Sequence, residues 1–148
     1  MTEGRGISAK AVLLGALVDF GSSLAVGFVA GFIWVIALAA QGVPADEMID
    51  DPPDGLPVII PSLVLGFGAT VLGGYVAGRI AKQAEVLHGG IVGAIGIPLG
   101  FVSALVSPAE LPLWFHIVSF VGIVPVGMTG GFLAKRIHGT RPPAGSRL

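Results

Sequence analysis

A single carboxylate, Asp19, stands inside the long apolar stretches of this chain. It follows Lys10 by nine residues, which along a helix rising 1.5 Å per residue carries it ~12–14 Å from that cation. An ionised side chain near the middle of a bilayer costs at least ~2.5–3.5 kcal/mol on insertion scales. A hydrogen bond, a bound cation or a proton would meet that cost. Counting inward from the neighbouring cations puts Gly74 of the second apolar stretch and Gly131 of the fourth at about the same depth, with Thr70 one turn further on. Asp19, Thr70, Gly74 and Gly131 therefore form the candidate site, a carboxylate facing small residues that leave room for water, an ion or a hydroxyl. Two chemistries fit it: polar packing between helices, or the handling of a proton, a cation or a cationic solute.

The inventory does not suit catalysis. Covalent or acid–base work needs a nucleophile, a base and an orienting group that converge. Asp19 and His88 are the nearest pair, with Ser22 or Ser23 as a remote nucleophile, and no signature motif frames them. There is no cysteine, so disulfides, thiolate metal sites and cysteine nucleophiles are excluded together. Three scattered histidines do not make a metal cluster, and no glycine-rich loop is placed to cradle phosphate. We expect neither an enzyme nor a cofactor.

Four apolar runs must position Asp19. The 148 residues are 53% hydrophobic and 11% charged, with a mean hydropathy of +0.90; soluble domains carry about a quarter charged residues. Spanning a ~30 Å hydrocarbon core takes about 20 helical residues. The runs predict spans at about 11–40, 56–80, 86–106 and 112–137. An acidic, proline-rich connection at 41–55, with a helical turn expected at 45–49, separates the first two, and a polar tail over 138–148 is expected to be disordered. The first run is about twice the length of a signal-peptide core and contains Asp19, so it reads as an uncleaved helix. Pro57 and Pro61 fall in early turns, where proline is tolerated, whereas Pro98 and Pro125 lie inside spans and predict kinks.

Charge is sorted by the ends of these runs. All eight Lys and Arg residues lie before the first, between the second and third, or after the fourth. The other two connections hold six acids and no cation: Asp46, Glu47, Asp50, Asp51, Asp54 and Glu110. By the positive-inside rule both termini are expected in the cytoplasm, with the chain crossing the cell membrane four times. No basic surface for nucleic acid is present. Trp34 and Trp114 near the acidic boundary, and Arg79, Arg136 and His88 near the basic one, are expected interfacial anchors, the arginines snorkelling to phosphates.

Gly73-Gly74-Tyr75-Val76-Ala77-Gly78-Arg79-Ile80 ends the second span, and Gly130-Gly131-Phe132-Leu133-Ala134-Lys135-Arg136-Ile137 ends the fourth, with five identities in eight positions. A weaker match joins 12–18 to 86–92. The pattern predicts two tandem helical hairpins in parallel orientation. With the His88-Gly89-Gly90-Ile91-Val92-Gly93 start of the third span, the G-G-[YF]-x-A-x-R ending resembles small four-span bacterial integral membrane proteins. The resemblance covers mainly 66–95 and the end of span four. It implies the all-α, multi-pass architecture and brings no activity with it.

Small residues recur every four positions on each span: Gly15, Asp19, Ser23, Gly27 and Gly31; Ser62, Gly66, Thr70, Gly74 and Gly78; Gly89 with Gly93; Gly127 with Gly131. In lipid no hydrophobic drive pairs helices, so close backbone approach at such stripes must do it. Gly15, Gly27, Gly31, Gly66, Gly78 and Gly127 are thus the expected packing residues. A surplus of such faces on spans three and four would suit a homo-oligomer or partner membrane helices beside the lipid bilayer itself. The residues favour a helix-packing structural or regulatory membrane protein; the alternative is a small transporter or channel subunit using Asp19.

Overall fold

The computed structural model describes residues 6–45, 48, 55–106 and 111–139. Four helices run through them: α1 (Ala9–Ala40), α2 (Leu56–Ala81), α3 (Glu85–Val106) and α4 (Leu113–Gly139). Each is long and apolar enough to cross a membrane, and no strand occurs among the described residues. The fold is an all-α four-helix membrane bundle. Most of its large apolar side chains face outward, Phe28 being 81% exposed and Leu105 72%. A bilayer demands such a surface, because backbone polar groups are satisfied within each helix and the apolar side chains are free to meet lipid.

The helix ends follow local chemistry. α1 begins two residues earlier than its hydropathy suggests because Ser8 caps it, its Oγ accepting from the Ala11 amide at 3.3 Å. Pro57 lies in the first turn of α2, where its missing N–H is no loss. The turn from α2 to α3 is closed by Lys82 in a left-handed conformation, φ 56°, whose amide donates to the Gly78 carbonyl at 3.1 Å. Pro61, Pro98 and Pro125 all sit within continuous α-helix. In the first connection the Met48 amide donates to the Pro44 carbonyl at 3.2 Å, as the expected helical turn requires. The remainder of that turn, all six loop acids and the tail beyond residue 139 lie outside the described residues.

The cations Lys10, Arg79, Lys82, Lys135 and Arg136 mark one end of the bundle, the basic end. The helices are not arranged as a square. α2 and α3 touch each other, α4 packs along both, and α1 packs on α2 with a smaller contact to α3. Close backbone-to-backbone packing is concentrated toward the basic half, where glycine replaces side-chain interdigitation. A Cβ built on Gly127 would strike the Gly89 carbonyl oxygen, and one built on Gly89 or on Gly74 would strike the Gly127 carbonyl oxygen. The atom that Cβ would replace is a Cα hydrogen, so Cα–H groups of α2 and α3 point at a carbonyl of α4. Such contacts recur at helix interfaces and contribute about 0.5–1 kcal/mol each. Gly130 meets the backbone of Val71, Gly74 and Tyr75, and Gly131 meets that of Glu85 and Val86. The two G-G segments therefore lie against neighbouring backbones, which is why both need glycine. α1 joins through Gly15, which abuts the Gly73 carbonyl and the Ala77 methyl.

Toward the acidic end the same spacing does something else. No described residue of another element lies within 4 Å of a Cβ built on Gly21, Gly27, Gly31, Gly66 or Gly68. Among the described residues Gly27, Gly31 and Gly66 therefore make no close backbone packing, unlike Gly15, Gly78 and Gly127. Spacing of four is a property of one helix, whereas contact also needs a partner at the right depth. Gly127→Ala should lower stability by about 1–3 kcal/mol through overpacking against the α3 backbone at Gly89 and Gly93. Gly31→Ala should change nothing, as read by unfolding in mixed SDS micelles.

Candidate functional site

The α1–α2 crossing sets the position of the carboxylate. Gly15 brings the two backbones together, and one turn later Asp19 faces α2 with its Cβ against Gly73. Asp19 is 9% exposed and Thr70 3%. The Thr70 hydroxyl donates to Asp19 Oδ1 at 3.1 Å, across 51 residues of sequence, and reaches the Gly66 carbonyl at 3.2 Å. Asp19 Oδ2 accepts no hydrogen bond from the described residues. Next to it on α1, the Ser22 hydroxyl is taken up by the Val18 and Asp19 carbonyls. That back-bonding directs its proton to the α1 backbone rather than to the Asp19 carboxylate.

Of the four residues expected together, the structure joins Asp19 and Thr70 and separates the others. Gly74 turns to Gly127 on α4, and Gly131 to Glu85 and Val86 at the start of α3. Gly73, one residue earlier, is the neighbour of Asp19. Sequence position sets how far along a helix a residue lies, but each residue turns the helix by 100°, so depth says nothing about direction.

Above the Asp19–Thr70 pair the helices separate around an open-sided cavity of about 350 Å³ lined from all four. Its floor is Asp19, Thr70, Gly96 and Ile123; from there it runs to Ser62 and Ser103 near the acidic end. Each helix contributes a serine to the lining: Ser23, Ser62, Ser103 and Ser119. The Ser119 Oγ is buried and has no hydrogen-bond partner among the described residues. Three rings, Phe20, Phe67 and Phe115, complete much of the wall. Gly66 and Gly100 line it too, so part of the small-residue pattern makes space rather than contact. The serines and rings come from positions that look unremarkable one helix at a time, which is why the sequence did not single them out as a group.

The expected anchors divide. Arg79 is exposed and turns to Tyr75, not inward to Asp19: Nη1 donates to the phenol oxygen at 2.8 Å, with the guanidinium 5.9 Å from the ring centre. Arg136 lies over the Phe132 ring at 4.9 Å. Trp114 is 39% exposed and meets Phe115 edge-on at 6.2 Å, whereas Trp34 is half-buried. His88, unlike the two arginines, is fully buried within the protein. Its Nε2 accepts from the Ser8 amide at 2.9 Å, and the other ring nitrogen lies 3.0 Å from the Ala84 carbonyl. Accepting at Nε2 requires the tautomer with the proton on Nδ1, which then donates to Ala84. His88 thus ties the cap of α1 to the first turn of α3, a link 80 residues apart that local reading cannot supply. Among the described residues no group of three His, Cys, Asp or Glu side chains could hold a metal ion.

No protein-family model, no curated protein and no solved structure matches this chain. Its own geometry therefore carries the functional reading. Thr70→Val should cost about 0.6–1.7 kcal/mol, the range for interhelical hydrogen bonds in membranes, in the same SDS unfolding measurement, and leave the bundle folded. Asp19→Asn keeps an oxygen for Thr70 and should cost less.

Proposed function

We propose that this protein binds a cation or a cationic solute at Asp19 and serves as a small transporter or channel subunit, with its basic end in the cytoplasm. One observation carries the reading: the acid buried among the spans forms the floor of a cavity drawn from all four helices. A residue needed only for packing would be enclosed by its partners. Asp19 has one oxygen held by Thr70 and the other without a hydrogen bond from the described residues, next to open volume. Intramembrane acids that face a cavity mark ion and substrate pathways.

The two halves of the bundle suit such a role. Toward the basic end, backbone contact at Gly74, Gly89 and Gly127 leaves no room for a passage. Toward the acidic end the helices part. With cations on the cytoplasmic side, this arrangement is open outward and closed inward. Passage then requires the glycine contacts to slide. Flat, side-chain-free surfaces permit that motion, and Pro98 and Pro125, each lacking an N–H within a span, supply points of bending. The helix-packing role expected from the small-residue stripes draws support from the bare acidic half of α1, where Phe28, Phe32 and Ile33 are exposed beside Gly27 and Gly31. A second helix seated there would be compatible with the cavity reading. The G-G-aromatic ending keeps the chain, in this proposal, beside the small four-span bacterial proteins it resembles.

In proteoliposomes, Asp19→Asn should reduce pH-dependent cation flux to background while the protein elutes and melts as before. Gly66→Leu, whose Cβ meets no described residue of another element and whose side chain would occupy the cavity, should do the same; flux equal to the parent's in both variants would end the transport reading. Separately, a cysteine placed in the tail should resist membrane-impermeant maleimide in intact cells and react after lysis. Labelling from outside would reverse the orientation.

A further inference from the structure

Resting on the cation-binding reading, we propose that the cavity selects organic ammonium compounds with an apolar body, amines or quaternary salts, over inorganic ions. The lining holds one carboxylate, five hydroxyls and three phenyl rings, and no Lys, Arg or His. An anion would find no countercharge. A hard divalent cation takes six or more oxygen ligands, whereas the oxygens here are spread through a cavity walled largely by Phe, Leu and Ile. The volume, about 350 Å³, lies in the range of small-molecule sites of roughly 300–1,000 Å³ and far exceeds that of a stripped ion.

The hydroxyls favour a ligand that donates. The Ser62 proton goes to the Val58 carbonyl at 2.8 Å, and the Thr70 proton is shared between Asp19 and Gly66. Both oxygens are left to the ligand as acceptors, matching an ammonium N–H or the polarised C–H of a quaternary ammonium. The rings supply the rest. Phe67 packs edge-on against Gly122, where a Cβ would meet its ring atoms, so the ring is held in place across the α2–α4 contact. Phe115 is fixed by edge contacts to Trp114 at 6.2 Å and to His116 at 5.8 Å. A cation beside the face of a desolvated ring gains a cation–π attraction that water cannot match. The charge would sit on Asp19 at the floor, with the apolar body along Phe67 and Phe115 toward the mouth.

Full-length protein in lipid nanodiscs titrated with benzyltrimethylammonium, benzenesulfonate, sodium and magnesium chlorides tests this by calorimetry. Benzyltrimethylammonium should bind, and the other probes should neither bind nor compete with it. Asp19→Asn should abolish binding; Phe67→Leu and Phe115→Leu, apolar but without a π face, should each weaken it roughly three- to thirtyfold. Two ring variants are used so that one remains if the other folds poorly. Equal affinity in the parent and both ring variants would overturn the inference, as would competition by sodium or magnesium. If Asp19-dependent cation flux is present but benzyltrimethylammonium does not bind, this inference fails and the cation-binding reading stands. If both are absent, both fail.

Discussion

Backbone-to-backbone contact at Gly127 is the constraint on which the bundle depends. Its carbonyl receives the Cα–H groups of Gly74 and Gly89, while its own Cα–H meets the Gly89 carbonyl. Three helices converge on one residue that has no side chain. In water the burial of apolar surface could hold such helices together, but lipid removes that drive, leaving dispersion and weak polar contacts that act only at short range. Very close approach therefore does the work, and glycine alone permits it. The buried apolar core confirms the economy: small residues such as Ala11, Ala69, Ala77 and Ala134, with Val92 the largest fully buried apolar side chain.

The same economy limits how far the packing can extend. α1 crosses α2 at Gly15 and Gly73, held at its start by Ser8 and His88, and then diverges. At 32 residues, ~48 Å at 1.5 Å per residue, it exceeds a hydrocarbon core and extends past its neighbours. A helix secured only at one end opens a wedge at the other. The cavity is that wedge, and Asp19 lies where it closes. Packing and site are thus one arrangement: the crossing that seals the basic half also turns the carboxylate toward Thr70 and the open volume above it.

Much of this was legible in the residues. Four spans, their ends to within two residues, and the isolated acid follow from hydropathy and charge, because bilayer thickness sets a minimum length for every spanning run. Thr70 is legible as a partner because it carries a hydroxyl one turn from the depth of Asp19. Gly74 and Gly131 were misplaced for the complementary reason, that depth leaves the rotation of each helix open. His88 reads as an interfacial anchor from its position beside Lys82 and Glu85, yet it is buried, since the N-terminal segment folds over it from 80 residues away. The glycine stripes look alike in sequence, yet Gly89 with Gly93 and Gly127 with Gly131 pack throughout, whereas Gly15 alone packs among the α1 stripe glycines, and Gly74 and Gly78 but not Gly66 pack on α2.

By itself the sequence determined what each helix is: its length, its apolar surface, its sorted end charges and the small residues that let a backbone come near. These are local, set by hydrogen bonding within a helix and by the cost of charge in hydrocarbon. Only the tertiary structure decided which glycines meet, that Asp19 faces Gly73 rather than Gly74, and that four serines and three phenylalanines share one cavity. The reason is geometric. Each residue turns the helix by 100°, and the direction a side chain takes in the bundle depends on where the helices cross, which is settled jointly by all four.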